Sequence, residues 1–190
     1  YLIGSLDEAA QEVRMLADLT QDPGLLSCYV GDSPKDAHSI VGSYIQKITY
    51  EEFRSRLKAE ETKTEYGTYR QYGKITLFSL IYGAGAAKVA ETLGISEELA
   101  QSYIDAIFTV FPGIKNYQEE SSEMAKTQGF VPVMNGTVRH LAKLISSEDK
   151  WEASKAERQA GNARIQSGCG NQMKKIMARI WQSNLLDDYD

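Results

Sequence analysis

Four side chains suited to gripping a nucleotide stand at strict four-residue spacing in this sequence: Arg70, Lys74, Phe78 and Tyr82. Residues four apart on a helix share a face, and at 1.5 Å per residue this row spans ~18 Å. Its two cations lie toward the N-terminal end and its two aromatics toward the C-terminal end. A nucleotide has the same polarity. Its phosphates would meet Arg70, Lys74 and the positive end of the helix dipole, while its sugar and base would lie against Phe78 and Tyr82. The row equally suits an ordinary half-buried helix, with the aromatics in a core and the cations in water.

A second polar row, Arg158, Asn162 and Gln166, repeats the spacing. Long donor side chains so placed could reach the acceptors that all base pairs present in a minor groove, a contact independent of base sequence. Chance polar residues on a helix would look the same. Asp7 follows a short apolar start, Tyr1-Leu-Ile-Gly, and precedes a helical segment with Glu12 and Arg14 in its early turns. A carboxylate at a strand end is a usual magnesium ligand, although a lone Asp is more often a surface residue. Other chemistries fit less well. Gly83-Ala-Gly85-Ala-Ala-Lys88 lacks the Gly-Lys-Ser/Thr ending of a phosphate loop and follows a helix rather than a strand. With only His38 and His140 present and no Gly-x-Ser-x-Gly elbow, a Ser-His-Asp hydrolase is poorly supported.

The elements that must carry these residues read as mostly helical, with a small β contribution, an α+β class. Helical spacing of apolar residues predicts a helix over 10–19. Residues 51–65 read as one charge-rich, exposed helix with few core residues and no chemistry, supported by Glu52 and Arg56 four apart. A long helical pattern over 69–93 is interrupted near Gly83 and Gly85 and stopped by Gly94. Ser96 is a good N-cap, with Glu97 and Glu98 in the first turn and Leu99, Tyr103, Ile107 and Val110 marking an apolar face. Pro112-Gly113 ends that helix, and another runs through Ile114, Tyr117, Ser121 and Met124. Residues 129–144 alternate around Asn135-Gly136, a hairpin signal. A last long helix is predicted over 150–186, with a possible break at Ser167-Gly168-Cys169-Gly170, and Asp187-Asp188 reads as a solvated tail.

The 190 residues, 42% hydrophobic and 25% charged, fit one globular domain or two small ones and exclude disordered and collagen-like classes. The net charge of -5 argues, taken whole, against a uniformly basic nucleic-acid-binding surface. Its distribution argues otherwise: residues 139–179 hold nine Lys and Arg against four acids, a net +5, while residues 1–138 carry a net -7. Two distant cysteines, Cys28 and Cys169, suggest neither a disulfide framework nor a zinc motif, and fit a reducing, cytoplasmic setting. The longest uncharged stretch, 75–87, is well short of the ~20 residues of a membrane span. No signal segment can be read, and the start at Tyr1 suggests a piece of something longer.

Taken together, the windows resemble the polymerase domain of family A DNA polymerases, the class of bacterial DNA polymerase I and many phage replicative enzymes. Asp7-Glu-Ala-Ala-Gln-Glu12-Val-Arg14 is similar to the family's first palm motif, normally Asp-Tyr-Ser-Gln-Ile-Glu-Leu-Arg, and Asp36-Ala-His38 to its Asp-Ile-His element. Arg70, Lys74, Phe78, Tyr82 and Gly83 match the fingers-helix motif position by position. Arg158, Asn162 and Gln166 match the Arg-x3-Asn-x3-Gln helix that lies against the primer-template. Departures are local: Glu8, Ala9 and Ala10 replace Tyr, Ser and Gln, and Gly136-Thr137 replaces Gly-Arg.

The resemblance implies a fingers-plus-partial-palm piece of a right-hand polymerase. Residues 1–30 would begin the palm, 31–130 form the fingers and 131–190 return into the palm with the primer-template helix. The thumb and the second catalytic carboxylate would lie on remaining polymerase segments, so the isolated chain is expected to be inactive. It further implies that Asp7 binds both Mg2+ ions of a two-metal phosphoryl transfer, and that His38, Arg70 and Lys74 neutralise the phosphates of a deoxynucleoside triphosphate, with Lys74 also a proton donor to pyrophosphate. Phe78 would lie beside the sugar, favouring discrimination against dideoxynucleotides. Tyr82 and Gly83 would lie near the templating base, and Glu12 would exclude ribonucleotides by crowding the 2′ position. The other readings are a non-catalytic nucleotide- or DNA-binding module and one half of a split polymerase.

Overall fold

A computed structural model describes residues 7–183. The apolar start Tyr1-Leu-Ile-Gly and the Asp187-Asp188 tail lie outside the described residues. In chain order the helices are α1 (Gln11–Thr20), α2 (Pro23–Leu26), α3 (Ala37–Ile45), α4 (Tyr50–Lys58), α5 (Lys63–Ile81), α6 (Ala86–Leu93), α7 (Glu97–Val110) and α8 (Pro112–Gln128). A short antiparallel hairpin, β1 (Phe130–Pro132) and β2 (Val138–His140), leads through α9 (Ala142–Ile145) to α10 (Lys150–Gln182). The mainly helical reading with a small β part therefore holds.

Local chemistry explains most of the boundaries. The Ser96 hydroxyl accepts from the Leu99 amide at 3.2 Å to start α7, and Thr49 starts α4 in the same way through the Glu52 amide at 3.1 Å. Pro112 occupies the first turn of α8, where its missing N–H costs nothing. Gly94 and Gly129 end α6 and α8 in the left-handed region. Asn135 and Gly136 both take positive φ, 66° and 72°, as a tight hairpin turn demands, and Phe130 pairs with His140, Val131 with Arg139 and Pro132 with Val138. One cap was not foreseen. Asp22, only 3% exposed, accepts from the Leu25 amide at 3.0 Å and from the Gly113 amide at 2.8 Å, so a single carboxylate serves the starts of both α2 and α8.

Three expectations are corrected. Residues 51–65 are not one helix: α4 ends at Lys58 and α5 begins at Lys63, and α4 is anchored by a fully buried Phe53 packed edge-on against Tyr66. On α7 the buried face is Ala100, Tyr103, Ile104 and Ile107, while Leu99 is 42% exposed. The last helix has no break at 167–170. Gly168 is there for close approach: a Cβ on it would stand 2.6 Å from the Met15 sulfur, so its absence lets α1 lie directly on α10. That contact, with Gln11 donating to the Cys169 carbonyl at 3.2 Å, outweighs the ~1 kcal/mol that a helical glycine costs.

The main core gathers Val13 and Leu16 of α1, Val41 of α3, Leu77 of α5, Val89 of α6, Ile104 and Ile107 of α7, Ile114 of α8 and Ile165 of α10. A smaller cluster, Ala125, Val131, Leu141 and Ala160, seats the hairpin between α8 and α10. Cys28 and Cys169 are both buried and unpaired, and burial pushes both thiols above their ordinary pKa, Cys28 to about 11. Among the described residues no helix is long and apolar enough to cross a membrane.

Candidate nucleotide and nucleic-acid site

The α5 row forms on one continuous helix, and its floor is α3. Gly73 makes the approach possible, since a Cβ there would lie 2.9 Å from the His38 carbonyl oxygen. The first residues of α3 thereby come under the cationic half of the row. Arg70 is held in a bidentate grip by Asp36, with Nε at 2.6 Å from Oδ2 and Nη2 at 3.2 Å from Oδ1. The Ser39 hydroxyl donates to Oδ2 at 2.5 Å, and the Arg54 guanidinium of α4 stands 3.6 Å from the same oxygen. Burial works against the Asp36 carboxylate, but the hydrogen bonds from Arg70 and Ser39 outweigh it and hold its pKa below the ordinary aspartate value. Lys74, one turn on, is exposed and makes no ion pair among the described residues.

His38, the third phosphate-binding residue expected, lies on the first turn of α3 beside this cluster. Burial pushes its imidazole down to about 4, with Arg70 and Lys74 adding to the effect and Asp36 only partly opposing it. The ring centroid lies 6.1 Å from that of Phe78, and Nδ1 is buried without a partner. Phe78 itself is half-buried against the main core.

The aromatic end of the row meets two other elements. Tyr82, 45% exposed at the C-terminus of α5, donates its hydroxyl to Glu12 Oε1 of α1 at 2.5 Å. That bond, with some burial, raises the phenol above its ordinary pKa, while the nearby Gln166 side chain of α10 pulls the other way. Three residues picked from separate windows of sequence thus meet at one point. Gly83 follows with φ +73°, and a Cβ on it would sit 2.6 Å from Cβ of Arg158, so the turn rests directly on α10. Arg158 is exposed and donates to Ser154 at 2.6 Å, and Asn162 buries an unpartnered Oδ1. Between this turn, α8 and α10 lies a cleft of about 530 Å³ with Leu80 and Ile165 in its lining and Gly83, Arg158 and Asn162 at its side.

Asp7 is exposed in the chain leading into α1. Its neighbours are otherwise engaged: Glu8 accepts from Gln172 at 2.9 Å and Glu12 from Tyr82. Among the described residues no group of three His, Cys, Asp or Glu could enclose a metal. An open carboxylate fits one protein ligand of Mg2+, which commonly takes one or two carboxylates together with substrate phosphates and waters.

Sequence reasoning missed Asp36 as the partner of Arg70, and Arg54 and Ser39 around it. It also missed Gln118, whose Nε2 donates to the Leu80 carbonyl at 2.9 Å near the end of α5. The Asp36 position was visible within Asp-Ala-His, but a contact 34 residues away leaves no periodic signal.

A helical platform with a cation-to-aromatic row, backed by a long polar helix, is the fingers-and-palm arrangement of a polymerase, and the chain belongs to DNA polymerase family A: the family's sequence profile matches residues 1–187. Among its relatives, DNA polymerase I of Pseudomonas aeruginosa is 29% identical over 180 residues, covering 95% of this chain and 18% of that protein. DNA polymerase I of Bacillus subtilis is 28% identical over 177 residues, covering 93% and 18%. DNA polymerase theta of Drosophila melanogaster is 28% identical over 176 residues, covering 93% and 8%. The chain thus spans less than a fifth of the length of these relatives. Among solved structures, the POL domain of Pol1 from M. smegmatis, in complex with DNA primer-template and dNTP, matches with a TM-score of 0.77 at 27% identity, covering 94% of this chain and 29% of that one.

Proposed function

We propose that the protein containing this chain is a template-directed DNA polymerase acting inside the cell, and that these residues supply its dNTP-binding fingers and one metal ligand. The observation that carries this reading is the convergence of the Arg70–Tyr82 face of α5 with Glu12 of α1 and Gln166 of α10. The match to a polymerase domain holding primer-template and dNTP supports it. On this reading residues 1–30 open the palm, 31–130 form the fingers and 131–190 return to the palm.

Arg70, Lys74 and the neighbouring His38 bind the triphosphate, and Lys74, exposed and unpaired among the described residues, gives a proton to departing pyrophosphate. Phe78 lies beside the sugar. Glu12, fixed by Tyr82, crowds the 2′ position, and Tyr82 with Gly83 borders the templating base. Arg158, Asn162 and Gln166 follow the primer-template along α10, at a rise of ~6 Å per step. Asp7 would hold Mg2+, which when bound activates the primer 3′-hydroxyl and offsets phosphate charge. Movement of α5 toward a correct pair would complete the site and set fidelity.

The test is Lys74→Ala in the full-length polymerase, with single-turnover incorporation of one dNTP. A fall of about 100-fold or more in maximal rate is expected from loss of a general acid and a phosphate cation. Retention of the full rate would refute the reading.

A further inference from the structure

Arg70 does not stand free to receive a phosphate; one edge of its guanidinium is already committed. We propose that Asp36 is a positioning residue for nucleotide binding, which fixes the Arg70 side chain through Nε and Nη2 so that its remaining donors are presented to the triphosphate. The proposal rests on the nucleotide-site reading above. Asp36 is itself immobilised: its backbone N–H donates to the Tyr50 hydroxyl at 3.0 Å, and Ser39 donates to Oδ2. Nη1 of Arg70 has no hydrogen-bond partner among the described residues, and the side chain remains 36% exposed. A planar guanidinium gripped side-on by a carboxylate has one orientation left, and an oriented fork loses less freedom when it binds.

The charge balance shows why the carboxylate does not cancel the site. Arg54 and Arg70 share Asp36 at 3.6 and 2.6 Å, so the trio keeps one positive charge, and exposed Lys74 adds a second. Asp36 thus fixes orientation at a tolerable loss of attraction. Since phosphate is gripped in ground and transition states alike, the effect belongs in nucleotide affinity rather than in maximal rate.

The experiment uses the full-length polymerase in single-turnover incorporation, with Asp36→Ala, Arg70→Ala and the double variant, and primer-template affinity as a folding control. Asp36→Ala is expected to weaken dNTP binding about 10-fold, with less than about a 3-fold change in maximal rate. In the Arg70→Ala background it should add almost nothing, because Asp36 acts through Arg70. Unchanged or tighter dNTP binding in Asp36→Ala, or an effect that adds fully to Arg70→Ala, overturns the positioning role while leaving the site reading intact. If Arg70→Ala itself leaves dNTP binding unchanged, the site reading falls and this proposal with it. Should Asp36→Ala fail the folding control, the isosteric Asp36→Asn replaces it, and the same non-additivity decides.

Discussion

Gly83→Ala tests the seam between α5 and α10 most directly. Two costs add at this position. An alanine held at φ +73° pays about 1–2 kcal/mol for the left-handed conformation. Its methyl would also meet Arg158 at 2.6 Å from Cβ, 2.8 Å from Cγ and 3.1 Å from Cδ. The outer part of that arginine can swing into solvent, but its Cβ is fixed to the backbone of a 33-residue helix. The clash must therefore move the turn or the helix, at about 1–3 kcal/mol. The sum is about 2–5 kcal/mol of local stability. The amides of Gly83 and Ala84, bonded to the Leu80 and Ser79 carbonyls at 2.9 Å each, are suitable reporters in hydrogen exchange of the full-length protein. Gly85 supplies the control. Its φ is -94° and a Cβ there meets nothing within 4 Å, so Gly85→Ala should cost no more than about 1 kcal/mol, the difference between glycine and alanine at an N-cap. Placing Gly83→Ala on an Arg158→Gly background removes the clashing Cβ and should reduce the penalty to the conformational part, about 1–2 kcal/mol. Equal effects of Gly83→Ala and Gly85→Ala, or a penalty unchanged in the Arg158→Gly background, would refute the reasoning.

Two further outcomes follow from buried polar groups. His38 has a folded-state pKa of about 4 against 6.5 unfolded, so the unfolded chain takes up the proton first. Its contribution is complete above about 6.5, is lost as pH falls toward about 4 and changes no further below that, amounting to at most about 3 kcal/mol. Asp36, with its pKa depressed, loses its own contribution in a separate, more acid window. Stability profiles of the wild type and His38→Gln should diverge between those two pH values; parallel profiles would contradict the assigned burial. Asp22→Ala should cost about 2–4 kcal/mol, since it leaves the Leu25 and Gly113 amides without their acceptor, with Asp22→Asn intermediate. A shift in thermal midpoint no larger than that of an exposed Asp32→Ala would dismiss the double-cap assignment.

What sequence could reveal here was whatever is local and periodic. The α5 row, the Ser96 cap, the Gly94 stop and the Asn135-Gly136 hairpin each follow from a few neighbouring residues, and each is found where it was read. Features made by distant packing were not visible. The glycines at 168 and 170 carry a breaker signal, yet α10 runs through them because Met15 fills the space above Gly168. The interruption at 59–62 has no Pro or Gly to announce it, and Phe53 sits in a charge-rich window that hides its burial. The burial of His38 was likewise hidden, because a residue's type says nothing of its desolvation. Asp36 and Arg70 meet only after α5 has packed on α3.

The two cysteines offer a practical opening. Both thiols are buried, and burial raises their pKa, so little reactive thiolate is available at neutral pH from either. A single cysteine introduced at an exposed position such as Leu99 on α7 should therefore take a maleimide dye selectively, with Cys28 and Cys169 left in place. The native chain is in that respect already a labelling background, ready for a single reporter on α7.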